Sequence, residues 1–245
     1  MQLIHWNKIV STLFALVISI GVMSQQNTLN LEEHDNHKLY FGIQLGSNSS
    51  HYKFLLSDYY AQQDTIQTVE SINRNGIHLG LLANWNVSER FDVRFYPLNL
   101  IFSDKKFQYT LLKPIQDGEL ADTKETKVES IVMSFPIQAR LKSDRINNFR
   151  VYALAGFKYD FDLASNAGAN VKLDLKAKKS DYGYEAGFGF QFYFKYFILS
   201  PEIKFSSGLR NVYVYDPASI TSKVINEMKS RMIMLSIHFE GGGIF

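Results

Sequence analysis

The stretch Tyr182–Phe194, YGYEAGFGFQFYF, decides the fold. Tyr182, Tyr184, Ala186, Phe188, Phe190, Phe192 and Phe194 fall on one face of an extended chain, and Gly183, Glu185, Gly187, Gly189, Gln191 and Tyr193 fall on the other. Side chains of a strand point alternately to opposite faces, so this period of two spells a strand with one apolar face and one face of glycine and polar groups.

Seven further stretches repeat the pattern. Leu39, Phe41, Ile43 and Leu45 alternate with Tyr40, Gly42, Gln44 and Gly46; Ile77, Leu79, Leu81, Ala83 and Trp85 alternate with His78, Gly80, Leu82 and Asn84. Phe91, Val93 and Phe95 oppose Asp92, Arg94 and Tyr96; Ile131 to Leu141 oppose Ser134, Gln138 and Arg140; Val151 to Phe161 oppose Gly156, Lys158 and Asp160. Phe197 to Phe205 oppose Ser200, Glu202 and Lys204, and Ile233 to Phe239 oppose Ser236, His238 and Glu240. Short links (87–90, 143–148 and 195–196) alternate with long polar ones (51–75, 104–127, 163–181 and 207–230). Short turns at one rim and long loops at the other are the habit of bacterial outer-membrane barrels, and eight strands leave an interior that side chains just fill.

The amino terminus agrees with export. Lys8 precedes an apolar run from Ile9 to Val22, followed by small and polar residues, which reads as a secretory signal spanning 1–24 with cleavage between Ser24 and Gln25. The run is short for a membrane-spanning helix, which needs about 20 apolar residues; an uncleaved anchor is the alternative. A polar periplasmic tail is expected over 25–37, the barrel over 38–240 and a short tail over 241–245. With no cysteine, neither disulfides nor acylation of a cysteine is open to this chain. A net charge of +2 without a basic stripe gives no footing for nucleic acid.

Running the strands alternately up and down gathers Trp85, Phe91, Phe149, Phe192, Phe194, Phe197 and Phe239 at the short-turn rim and Tyr159, Phe161, Tyr182, Tyr184 and Phe205 at the long-loop rim, two aromatic girdles flanking an apolar band. The soluble alternative, a lipocalin-like barrel or a sandwich, would turn the apolar face inward. Pro97, Pro136 and Pro201 stand inside these strands and cannot donate to a ladder, so bulges or strand ends are expected there.

Several runs resemble one family: LYFGIQLG (39–46), KVESIVMSFPIQARLKS (127–143), FKYDFDLASN (157–166), YFILSPEIKFSSGL (196–209) and SRMIMLSIHFEG (230–241) are similar, in order and spacing, to the PorT (SprT) outer-membrane proteins of the Bacteroidota. The resemblance implies an eight-stranded antiparallel transmembrane β-barrel of the small OmpX/OmpA-like kind in a Gram-negative outer membrane. It also implies a component required by the type IX secretion system and, in gliding species, by motility, working through other secretion proteins rather than by catalysis. The loops at 104–126 and 168–180 match the family least.

The residues offer little for other chemistry. Arg94, Arg140, Lys158 and Lys204 face Asp92, Asp160, Glu185 and Glu202 across the expected interior, which reads as an ion-paired plug; a selective pore is the rival. The short link after Phe194 pairs Gly187 with Lys204 and puts Glu185 on the diagonal. No glycine cluster precedes a helix with Lys and Ser or Thr, as a phosphate loop requires. His34 and His37 beside Glu32, Glu33 and Asp35 could bind a metal, although a solvated tail is the simpler reading. His78 and His238, placed near opposite rims, offer no shared site, and no Ser–His–acid order stands out. No cofactor and no small-molecule substrate are expected; outer-membrane lipid and protein partners are. A generic structural or adhesive barrel and a lipid-modifying enzyme remain as other readings.

Overall fold

The computed structural model describes residues 29–62, 66–111, 123–164, 176–215 and 223–244. The expected signal and its Ser24–Gln25 cleavage site lie outside these described residues. The strands are β1 (Leu39–Leu56), β2 (Ile66–Ile72), β3 (Arg74–Ser88), β4 (Phe91–Leu111), β5 (Thr123–Lys142), β6 (Phe149–Asp162), β7 (Lys176–Ala177), β8 (Ser180–Tyr193), β9 (Ile198–Gly208), β10 (Tyr213–Val214) and β11 (Ile225–Ile244). A helix α1 (Asp58–Gln62) follows β1.

Eight of these strands close on themselves in the order β1, β3, β4, β5, β6, β8, β9, β11, every neighbour antiparallel. β1 makes the closure, pairing with β3 from Leu39↔Trp85 to Ser50↔Arg74 and with β11 from Leu39↔Ile244 to Leu56↔Ile225. The apolar row points outward: Phe188 is 51% exposed, Leu235 55% and Ile237 46%. Its alternates point inward, with Arg94, Arg140, Lys204 and His238 at 0%. No helix among the described residues is long and apolar enough to cross a membrane; the strands provide the crossing. Lipid offers no hydrogen bonds, and a closed ladder is the sheet that satisfies every backbone group without it.

Three boundaries differ from expectation. The long links are partly sheet. β1 runs on to Leu56, β2 fills 66–72, β4 continues to Leu111 against Thr123–Ser130 of β5, and β11 begins at Ile225. Beyond the bilayer the outer face meets water instead of lipid while the inner face packs on a small apolar core, so the contrast between outward apolar and inward polar residues is lost while the ladder persists, and periodicity alone misses the extension. The expected carboxy-terminal tail is the end of β11: Gly241 and Gly243 pair with Phe41 and Tyr40 after a bulge, because β1 would otherwise start with an open edge. The expected amino-terminal tail is folded from residue 29 onward, as described below.

The prolines sit where the ladders break. The β4–β5 register shifts between Phe95 and Leu100, and the β3–β4 register shifts between Leu81 and Ala83, so Pro97 lies in a bulge shared by two seams. Pro136 stands across the same interruption while keeping its place opposite Lys158 of β6. Pro201 pairs with Ile237, and on its other side the ladder passes from Gly189↔Glu202 to Phe192↔Leu199.

An arginine at the middle of the lipid-facing wall tests this orientation. Leu235→Arg is expected to destabilise the inserted barrel by about 2–4 kcal/mol, and Leu163→Arg, at the rim, by about 1 kcal/mol or less, read by equilibrium unfolding from lipid vesicles. Equal small losses at both positions would place that wall in water.

Candidate functional site

The interior is a charge knot tied from strand positions that alternation turns inward. Arg94 on β4 donates to Glu202 at 3.0 Å, to Glu240 at 2.6 Å and to the Asn84 amide oxygen at 2.7 Å. Arg140 on β5 grips both carboxylate oxygens of Asp92 at 2.6 and 2.7 Å and donates to the Tyr40 hydroxyl at 2.6 Å. The Tyr152 hydroxyl donates to Glu202 at 2.7 Å, and its ring lies 4.9 Å from the Arg140 guanidinium. Lys142 reaches Asp92 at 3.1 Å. Gly187 stands opposite Lys204, whose ammonium lies 3.2 Å from Glu185, itself bonded by Gln138 at 2.6 Å. These cations and carboxylates alternate in sign, and the paired arrangement is what makes buried charge tolerable. Lys158 and Asp160 pair separately, nearer the long-loop end, where Ser134 also bonds Asp160.

The sequence-derived cluster omits Glu240 and the hydroxyls of Tyr40, Tyr96 and Tyr152. Each occupies an inward-pointing position, so the same alternation could have found them. The histidines need correction. His78 faces Gly46 on β1, two residues from Gln44, which faces His238 and accepts a hydrogen bond from its Nε2 through the side-chain amide oxygen at 3.0 Å. They are therefore close neighbours across β1 rather than residues of opposite rims. The stagger of tilted strands brings an early residue of β3 level with a late residue of β11. His78 bonds Ser236 at 2.8 Å, but its Nδ1 has no partner and both rings are fully buried. A serine–histidine contact without an orienting acid or a path for substrate lacks the geometry of a nucleophilic site.

Both ends of the lumen are covered. At the short-turn rim, Leu29–His37 folds back with a 3-10 helix at Glu32–Asn36. Leu31 takes a left-handed conformation at φ 50°, and its carbonyl accepts from His34 at 3.1 Å. Asp35 receives Arg150 at 3.1 and 3.2 Å and Tyr193 at 3.2 Å, while Arg145 bonds the Asn30 carbonyl and lies 3.7 Å over the Tyr193 ring. His34 is buried edge-on against Tyr40, ring centres 4.6 Å apart. The solvated tail expected over 25–37 is thus a plug over its described part. Its four-residue run of charge and histidine gave no apolar signal, because the contacts are ionic and made with turns far away in sequence. His34 and His37 sit edge to edge at 5.8 Å, and no group of three ligand-type residues is placed for a metal among the described residues.

At the opposite end, Tyr52, Phe107, Ala177, Val212, Tyr213, Ile225 and Met228 form a small apolar core beneath the β7–β10 pair. Lys105 is buried below it, with its ammonium 4.4 Å from the Tyr52 ring centre and 3.3 Å from the hydroxyl.

On the outer wall, Trp85, Phe91, Phe149, Phe194, Phe197 and Phe239 are exposed around the short-turn rim with Phe192 half-buried among them, and Phe197 stacks between Phe194 at 5.1 Å and Phe239 at 5.8 Å. Tyr159, Phe161, Tyr182, Tyr184 and Phe205 are exposed at the other rim, all on β6, β8 and β9.

A closed sheet with an apolar outer wall, aromatic rims and a polar packed interior defines a transmembrane β-barrel of a bacterial outer membrane. The chain belongs to the outer membrane protein beta-barrel domain family, whose model matches residues 23–214. No curated protein sequence matches it. Among solved structures it is similar to Ail, the attachment invasion locus protein of Yersinia pestis (11% identity, 83% of this chain and 99% of that one, TM-score 0.37). It is also similar to OprG of Pseudomonas aeruginosa (14%, 82% and 93%, 0.40) and to the outer membrane protease OmpT of Escherichia coli (8%, 83% and 96%, 0.38).

Two outcomes are expected of this site. Arg94→Met leaves Glu202 and Glu240 without their shared cation, and should cost about 3–5 kcal/mol in reversible unfolding; adding Glu240→Gln should restore part of that loss. The plug should respond to acid. Burial lowers the pKa of His34 from 6.5, so the docked plug prefers the neutral ring. Its stability is full above pH 6.5 and declines as pH falls below that value, because the undocked ring takes the proton first. Amide exchange of residues 31–37 should accelerate as pH falls below about 6.5, and His34→Gln should flatten the response.

Proposed function

We propose that this barrel is a non-enzymatic component of the type IX secretion apparatus, working through protein partners at its surfaces. The observation that carries the reading is the filled and doubly covered lumen. Arg94 and Arg140 occupy the cross-section at 0% exposure, and each end is closed by its own packed cover. A barrel without an open bore acts by what its walls, rims and projecting sheet touch. The secretion role itself rests on the resemblance of residues 39–46, 127–143, 157–166, 196–209 and 230–241 to PorT proteins.

A second reading, a structural or adhesive barrel, draws on the sheet that projects past the long-loop rim, where β2, β4 and β5 pair beyond the closed part. Deleting the gene in its own host separates the two. The secretion role predicts that cargo normally found outside the cell accumulates within the envelope, and that Arg94→Met, if it still inserts, leaves export intact. Normal export from the deletion strain would end the secretion reading and leave the structural one.

A further inference from the structure

The aromatic arc at the long-loop rim stops at β9. On the adjoining wall of β11 and β1, outward pairs climb in the order Leu45↔Ile237, Ser47↔Leu235, Ser49↔Ile233, His51↔Arg231, Lys53↔Lys229 and Leu55↔Glu227. The apolar wall thus ends in two successive pairs that carry Lys53, Lys229 and Arg231. Residues directly opposite in an antiparallel ladder share a face with their side chains close together, and like charges placed so repel. Here Lys53 opposes Lys229 and His51 opposes Arg231 on one outer face, a block of three cations beside an imidazole whose pKa burial and Arg231 hold below its usual value, so that it stands as a neutral polar neighbour.

Local acids do little to offset it. Glu227 bonds Lys229 at 2.9 Å in a pair that is about one third exposed, and such surface pairs are weak. Among the described residues, neither Lys53 nor His51 has a carboxylate in ion-pair reach. Arg231 is flanked instead by hydroxyls: Tyr184 bonds both it and Ser207, the residue opposite Arg231 on β9.

The height of this block matters. It lies one pair above Ser49↔Ile233, where apolar side chains give out, and therefore at the level of lipid headgroups rather than acyl chains. Long loops of outer-membrane barrels face the cell exterior, so the leaflet is the outer one. Arginine and lysine at that depth, with a hydroxyl donor beside them, fit the oxygens of a phosphate monoester and would hold it by charge-assisted hydrogen bonds.

We propose that Lys53, Lys229 and Arg231, with the His51 imidazole and the exposed Tyr184 hydroxyl beside them, form a binding site on the outer wall for the phosphorylated headgroup of an outer-leaflet lipid. The lipid's acyl chains would run down the groove below, between Leu45 and Ser47 of β1, Leu235 and Ile237 of β11, and Phe188 and Phe190 of β8. That groove is broad because Ser47 and Pro201 present little side chain to it.

The test uses the mature barrel in phosphatidylcholine nanodiscs doped with lipid A, in its phosphorylated form or after enzymatic removal of its phosphates. Native mass spectrometry counts the lipid A that stays bound. Retention of the phosphorylated form, a loss of at least about tenfold in the variant Lys53→Gln, Lys229→Gln, Arg231→Gln, and weak retention of the dephosphorylated form are expected. Unheated gel mobility checks that the variant is folded; Lys53→Gln alone, at an exposed position, gives a smaller loss if the triple variant is not. Equal retention of the two lipid forms, an unchanged variant, or complete displacement by millimolar inorganic phosphate would overturn the assignment, the last by showing a site for a free ion. None of these outcomes depends on whether the barrel serves secretion.

Discussion

A strand that crosses fatty acyl chains cannot leave its N–H and C=O groups unpaired, and in this protein that constraint is met at one seam. β1 is hydrogen-bonded along its whole length to β11, from the first residue after the plug to the last described residue of the chain. Without that pairing the sheet would have two open edges in lipid. The closure explains why glycines 241 and 243 continue the strand, and why β1 and β11 bring Tyr40, Gln44, His238 and Glu240 into the knot with Arg94. Gly46 shows how tight the seam is. A β-carbon there would stand 2.1 Å from the Leu235 carbonyl and 2.5 Å from the His78 ring, so the row of small residues in β1 makes room for large polar neighbours on both sides.

Closing eight strands with the apolar row outward fixes what the inside must be. The lumen is narrow and receives the polar alternates of every strand, with Arg94, Arg140, Lys204 and His238 fully buried in it. Charges so placed must find partners, and the bidentate Arg140–Asp92 pair and the Arg94 bridge between two glutamates supply them. Charges in a sealed core must be nearly completely paired whether the barrel is soluble or spans a membrane. Here they are sealed in and nearly completely paired. What distinguishes this barrel from a soluble one is its outer face, where Phe157 is 75% exposed and Ile137 62%, a wall that water would not tolerate over so large an area.

Periodicity therefore reads the spanning part of each strand well and the parts outside the membrane poorly. Tyr182–Phe194 and Ile233–Phe239 were legible because lipid on one side and a polar lumen on the other force opposite preferences on adjacent residues. The contrast is weaker on Thr68–Ile72 and Lys105–Tyr109, which pair in the projecting sheet where one face packs on the small apolar core and the other is no longer against lipid. The interior residues on the spanning strands follow from the same contrast, but their partnerships do not, because stagger decides which rows meet. That is why His78 and His238 were assigned to different rims. The plug was illegible for another reason: Asp35, Arg145, Arg150 and Tyr193 come from three separate parts of the chain, and their meeting is a product of closure.

The two covers differ in kind, and the difference bears on how the barrel can act. The short-turn cover is ionic and local, built on Asp35 and its arginines with one buried imidazole, so protonation or a competing polar partner can loosen it without touching the ladder. The long-loop cover is an apolar core seated on strands that continue from the membrane, so it shares their rigidity. A knot of buried charge between them ties the strands together across the lumen. The short-turn cover can therefore loosen for the loss of a few ionic contacts, whereas the long-loop cover can loosen only together with the strands that carry it.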